Sequence, residues 1–212
     1  MAAIKRSSMK DQVYDLVKER IFSRYYEPGE EIKILTLSHE LEVSNTPIRE
    51  ALTMLAAEGL LTTSLNNKFR VIELSEEMMS ELNETIKVLL TGGYLAAHKD
   101  GRDKGLAKML KERLADQKAA LMAGDENDYL LKTLLFDRSF VEVTGNNKLI
   151  KIFDDNNYVL YLFVRHTHWK DKDNREKKLK EHEALIKAVS AKDTELVAKL
   201  IDEHYDEHYS AE

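Results

Sequence analysis

The stretch Glu42-Val43-Ser44-Asn45-Thr46-Pro47-Ile48-Arg49-Glu50-Ala51-Leu52, closed by Ala56-Ala57-Glu58-Gly59-Leu60-Leu61, constrains the fold more than any other part of the chain. It reads as a tight turn entering a short amphipathic helix that ends on a glycine. Ser44 and Thr46 are both candidate N-caps, and Pro47 fits the first turn, where its missing N–H is not needed and its fixed φ is already helical. Ile48, Leu52 and Leu55 recur at i, i+4 and i+7 and should face inward. That arrangement leaves Asn45, Thr46, Arg49 and Thr53 pointing outward. A helix N-terminus carrying short polar groups and one arginine suits phosphate oxygens and base edges in a major groove.

Upstream, Val13, Val17 and Ile21 form an apolar stripe of helical period that is broken at Pro28-Gly29, and a short helix from Leu37 to Leu41 precedes the turn at Glu42-Val43. Downstream of Gly59, the runs 60–64 and 69–74 read as two short strands. Leu65-Asn66-Asn67-Lys68 joins them, and consecutive asparagines tolerate the positive φ of a tight hairpin. Three helices and a hairpin predict a winged helix-turn-helix over residues 1–74.

Residues 10–74 resemble the N-terminal domain of the GntR family of bacterial transcription regulators. The resemblance rests on Pro28-Gly29, Leu37, Val43-Ser44, Thr46 through Leu52, Leu55 and Glu58-Gly59-Leu60. It implies a DNA-binding role for Lys33, Ser44, Asn45, Thr46, Arg49, Lys68 and Arg70. It also exposes three departures: the family usually has arginine where this chain has Asn45, often arginine at Leu35, and usually glycine at the wing tip where Lys68 stands. Two common DNA contacts are absent, so the operator should differ from the family's commonest one. The Asn45 amide remains suited to adenine.

Composition sets the outer limits. A chain of 212 residues is long enough for two domains with separate cores, and 43% hydrophobic with 33% charged residues indicates a soluble globular protein. Both prolines precede residue 50, so the remainder should be nearly all helix. Cysteine is absent, which removes disulfides, thiol nucleophiles and thiolate metal sites and fits a reducing cytoplasm. The start Met1-Ala2-Ala3-Ile4-Lys5-Arg6 lacks the apolar segment of a signal peptide, and the longest apolar run, Tyr158 to Val164, falls far short of the roughly 18 residues that cross a bilayer. A net charge of −6 argues against a nonspecific nucleic-acid coat but leaves room for a local basic face of Lys5, Arg6, Lys10, Lys33, Arg49, Lys68 and Arg70.

Beyond residue 74, Ser75-Glu76-Glu77 reads as a cap with an acidic first turn, opening a helix to about His98. Gly101, Gly124, Gly145, the polar segment Lys170–Asn174 and Ala191-Lys192-Asp193 divide residues 75–212 into six helices. Gly92-Gly93 inside the first of them suggests close helix packing or room for a ligand, with a merely tolerated weak spot in the helix as the other reading. The fold class expected overall is mainly α: the winged unit followed by an all-α antiparallel helical bundle. That bundle resembles the FCD effector-binding and dimerisation domain over residues 78–208, through Tyr94-Leu95-Ala96-Ala97, Phe136-Asp137, Thr144-Gly145-Asn146, Glu181-His182, Ala188, Asp193, Ala198 and His204. Six helices place it nearer the VanR-like branch.

His182 and His204 flank the turn at Lys192 at about ten and twelve residues, so on antiparallel helices rising ~1.5 Å per residue their imidazoles sit at similar heights. Metal-binding members of the FCD group use an Asp and a His one helical turn apart plus two histidines spaced like these. The first pair falls here on Thr133 and Asp137, leaving Asp137, His182 and His204. This set is compatible with zinc, nickel or manganese in open coordination that a carboxylate effector completes. The other reading, two hydrogen-bonded core histidines and no metal, stays open. The resemblance also implies an effector-contacting arginine where Thr85 stands, with Arg165 the candidate replacement; Thr133 and Asn146 complete the effector set, and Asn157 is a further candidate donor. His166, His168 near Trp169, and His208 read as surface residues.

Together these features predict a homodimeric, DNA-binding transcription regulator responsive to a small organic acid, without membrane association. Two other classes compete with this reading: a metal-dependent helical-bundle enzyme and a protein-interaction module with a degenerate DNA-binding domain. Against an enzyme stands the lack of a nucleophile and base pair, a Gly-rich phosphate loop or an HExxH helix.

Overall fold

The computed structural model describes residues 8–64, 66, 68–167 and 172–205. Lys5, Arg6, Leu65, Asn67, His168, Trp169, Lys170 and His208, and the side chain of His166, lie outside the described residues. The chain divides into two compact units, Met1–Leu74 and Ser75–Glu212.

In the first unit, α1 (Met9–Phe22) opens on a capping box: Asp11 N–H donates to Ser8 Oγ at 3.2 Å and Ser8 N–H to Asp11 Oδ2 at 3.0 Å. β1 (Glu31–Ile32) and α2 (Ile34–Leu41) follow, then α3 (Asn45–Ala57) with Glu42 left-handed in the turn between the helices (φ 54°). β2 (Leu61–Thr63) and β3 (Phe69–Val71) complete an antiparallel sheet of order β1-β3-β2. The sequence pointed to two strands; β1 escaped because two residues are too few to show alternation. It pairs Glu31 with Arg70 and Ile32 with Phe69. Ser44 occupies the N-cap position of α3, yet its hydroxyl makes no capping bond. Val13, Val17, Ile21, Leu37, Ile48, Leu52, Leu55, Leu60 and Phe69 form the core, the inward stripes expected from spacing. Gly59 turns the chain out of α3 with φ 76°, a conformation that side chains rarely adopt.

The second unit contains, among the described residues, six helices: α4 (Glu76–Lys99), α5 (Asp103–Ala123), α6 (Glu126–Glu142), α7 (Asn147–Thr167), α8 (Lys172–Ala191) and α9 (Thr194–Tyr205). Ser75 caps α4 as expected, accepting from Met78 N–H at 3.2 Å. Residues 172–174, read from sequence as part of a break, instead open α8. Helix α6 packs against α4, α5 and α7, while α8 lies against α5 and α9. Gly93 explains how α4 and α6 approach: a Cβ there would stand 2.4 Å from the Phe140 carbonyl oxygen. Gly92 has no such neighbour, so the paired glycines serve close packing on one side only. No helix among the described residues is long and apolar enough to cross a membrane.

Candidate functional sites

On the winged unit, burial of Ile48, Leu52 and Leu55 fixes which way α3 faces, and Asn45, Thr46, Arg49 and Thr53 are exposed on its other side. With Lys10, Glu50 and Met54 they line one surface groove. Two interactions hold the far end of α3 to α1: Tyr14 Oη donates to Glu58 Oε1 at 2.6 Å and Lys18 Nζ to Glu58 Oε2 at 3.0 Å. Lys33 is exposed at the N-cap of α2, and Leu35 beside it is 66% exposed. The wing cations share one carboxylate: Lys68 Nζ lies 3.0 Å and Arg70 Nη2 3.3 Å from Glu31 Oε2, and Arg70 Nη1 donates to the Gly29 carbonyl at 3.0 Å. The Lys68 hydrogen bond holds the Glu31 carboxyl below its ordinary range. Sequence reasoning missed Glu31, because its register opposite Arg70 depends on β1.

In the helical unit, α6, α8 and α9 bring Asp137, His182 and His204 together in the interior. One ligand atom from each lies within 4.8 Å of the others, with Asp137 Oδ1 at 3.9 Å from His182 Nε2 and 3.8 Å from His204 Nε2. All three side chains are almost fully buried. The imidazole rings sit 5.1 Å apart, the convergence that spacing about Lys192 predicted. His182 also stacks on Phe136 at 3.7 Å.

The surrounding bonds decide which nitrogen of each ring faces the centre. Thr133 Oγ1 donates to the Tyr129 carbonyl at 2.9 Å and therefore accepts from Gln117 Nε2 at 2.6 Å. That orientation leaves Gln117 Oε1 as acceptor for His182 Nδ1–H at 2.8 Å. Around His204, Nδ1–H donates to Glu181 Oε2 at 2.7 Å, while Lys178 Nζ donates to the His204 carbonyl at 2.7 Å and to Glu181 at 3.1 Å. Both Nε2 lone pairs thus point inward, the carboxylate–histidine and amide–histidine arrangement that orients metal ligands. Tyr205 Oη donates to Asp137 Oδ2 at 2.7 Å. Asp137 Oδ1 and His182 Nε2 are left buried without a hydrogen-bond partner. Two orphaned acceptors facing one another fit a shared cation.

Burial sets the protonation states. Loss of water raises the Asp137 carboxyl to about 7, against the opposing pull of the Tyr205 bond and the Lys178 charge. The same desolvation pushes His182 and His204 well below their ordinary value, with neighbouring positive charge adding to it. Neutral imidazoles are the ligand-competent form.

Beside these residues lies a cavity of about 60 Å³ lined by Tyr129, Leu130, Thr133, Leu134, Asp137, Leu160, Tyr161, Val164, Asn174, Arg175, Lys178, His204 and Tyr205. Thr133 thus faces the cavity, its hydroxyl already engaged with Gln117. Three other effector candidates lie outside this lining. Thr85 is exposed, its hydroxyl turned back on the Glu81 carbonyl at 2.9 Å. Asn146 is exposed and accepts from Lys148 N–H at 3.0 Å, which starts α7. Arg165 is outside the lining, donating to Asn127 and, at 3.1 Å, to Tyr161 Oη. Asn157 is likewise absent from the cavity wall. The cations in the wall are Lys178 and Arg175. Lys178 falls one helical turn before His182, a spacing that would have found it; Gln117 carries no sequence signal linking α5 to the histidines.

Comparison with known proteins matches both units. Residues 9–71 match the gntR family of bacterial regulatory proteins, and residues 92–207 match the FCD domain. The HTH-type transcriptional regulator YdhC of Bacillus subtilis (strain 168) is 25% identical over 92% of this chain and 86% of its own length. The gluconate operon transcriptional repressor of Bacillus licheniformis is 26% identical over 96% of this chain and 85% of its own length. Among solved structures, E. coli McbR/YncC shares the fold with a TM-score of 0.71 at 22% identity, covering 94% of each chain. These relatives are transcriptional regulators and not enzymes, and the chain belongs to the gntR family of bacterial regulatory proteins, carrying an FCD domain behind its winged helix-turn-helix.

Proposed function

We propose that this regulator binds a two-fold symmetric operator as a homodimer in the cytoplasm, reading bases with the exposed face of α3, and releases or engages it in response to a small carboxylate held in the helical unit. The observation that carries the DNA reading is the groove shared by Asn45, Thr46, Arg49 and Lys10, backed by fully buried Ile48 and Leu52. Ser44 and Thr46 stand at the positive end of the α3 dipole and suit phosphate oxygens. Lys33, Lys68 and Arg70 suit the adjacent backbone, contacts that position without specifying sequence. Support for a second copy comes from α4, where Val88 and Leu95, two turns apart on one face, are 68% and 47% exposed and Gly92 between them admits close approach.

The experiment is selection of bound fragments from genomic DNA followed by mobility shift. The fragments should share two half-sites related by a dyad, and Arg49→Ala should weaken binding to them by about 1–3 kcal/mol. A single unrepeated half-site would remove the second copy, and Arg49→Ala binding like wild type would remove α3 from the reader's role.

For the effector, Asp137, His182 and His204 are the residues that would hold a divalent ion such as zinc, nickel or manganese. When bound, the ion supplies positive charge and an open coordination position for a carboxylate oxygen. Lys178 and Arg175 contribute further positive charge at the wall, and the gluconate operon named for one relative is in keeping with an organic acid. Binding there acts on DNA by shifting the populations of conformers that place the reading heads.

A further inference from the structure

We propose that the cavity in the helical unit selects a short monocarboxylate with an unsubstituted hydrocarbon body over a polyhydroxylated acid of the same length. The inference rests on the reading of this cavity as the effector site. Its walls are Leu130, Leu134, Leu160, Val164 and the rings of Tyr129 and Tyr161, with Lys178 and Arg175 as the cations in the lining. Lys178 is shared with Glu181 and the His204 carbonyl and still brings positive charge to the wall; Asp137, Asn174 and His204 complete the lining, and most of the surface that a ligand body meets is carbon.

The hydroxyls of the lining are already committed within the protein. Tyr129 Oη donates to the Arg175 carbonyl at 3.2 Å, Thr133 Oγ1 to the Tyr129 carbonyl at 2.9 Å and Tyr205 Oη to Asp137 at 2.7 Å. Tyr161 Oη accepts from Arg165 at 3.1 Å. A hydroxyl-bearing ligand would lose water and find few partners in return, a penalty that grows with each hydroxyl buried. The cavity volume of about 60 Å³ keeps the body short.

Butyrate and threonate (2,3,4-trihydroxybutanoate) share carbon count and charge and differ only in hydroxyls. Isothermal titration calorimetry of the full chain, with and without equimolar zinc, should find butyrate at least about ten-fold tighter than threonate. Val164→Phe, which fills the cavity from its half-buried rim, should remove butyrate binding. Threonate binding as tightly as butyrate overturns the hydrocarbon preference while leaving the cavity a carboxylate site. If neither acid binds, the effector-site reading falls and the preference with it. Butyrate binding unchanged in Val164→Phe places the site elsewhere and overturns the proposal.

Discussion

The face of α3 and the Asp137 cluster are built on opposite principles. On α3, a contiguous stretch supplies both the buried stripe that orients the helix and the polar groups that face outward, so its chemistry is local and water-exposed. The cluster takes one residue from each of three helices and strips water from all of them. Exposed charges such as Lys68 and Arg70 interact weakly and are screened by salt. Buried ones decide protonation, tautomer and ion affinity outright, because desolvation is costly unless each group finds a partner. The contrast predicts near-additive effects on the exposed face and cooperative ones in the buried cluster, whose groups share hydrogen bonds.

The largest effect that sharpens this contrast is at Gln117. It touches no proposed ion, yet it fixes the His182 tautomer; Gln117→Ala should weaken zinc binding by about 10–100-fold in a competition titration against a chelating dye. Unchanged zinc affinity would show that the buried bonds are not cooperative. Next comes pH. Asp137 sits near 7 without an ion and both histidines are already neutral, so below that value the carboxyl must shed its proton before ligating. Zinc uptake should release about one proton per ion at pH 6 and about none at pH 8. Calorimetry in buffers of different ionisation enthalpy reads this directly, and equal release at both pH values would contradict it.

The smallest expected effect lies on the surface. Glu31 pairs with both wing cations, so Glu31→Gln should tighten DNA binding a few-fold on any sequence and steepen its salt dependence. Weaker binding in this variant would mean that Glu31 positions the cations instead of competing with phosphate for them.

Legibility followed the same division. The α3 stripe, its exposed face, the Ser75 cap and the six helices among the described residues of the second unit were readable because each depends on neighbours within a few turns. So was the convergence of His182 and His204, since one turn separates their helices. What escaped depends on distant partners: β1 exists only through its pairing with β3, and Gln117 reaches His182 across α5 and α8. Thr85 and Asn146 lie outside the cavity lining for a related reason. Family position marks where an arginine usually stands at Thr85, whereas here the Thr85 hydroxyl donates to the Glu81 carbonyl and the Asn146 side-chain oxygen accepts from Lys148 N–H, both bonds to nearby backbone.

The most direct test of the buried site is metal content. Full-length protein purified without a histidine tag, incubated with zinc and freed of excess, should hold about one ion per chain by elemental analysis, and His182→Ala should hold none. Wild-type protein without zinc, or His182→Ala retaining as much as wild type, would contradict the assignment of Asp137, His182 and His204 to one centre.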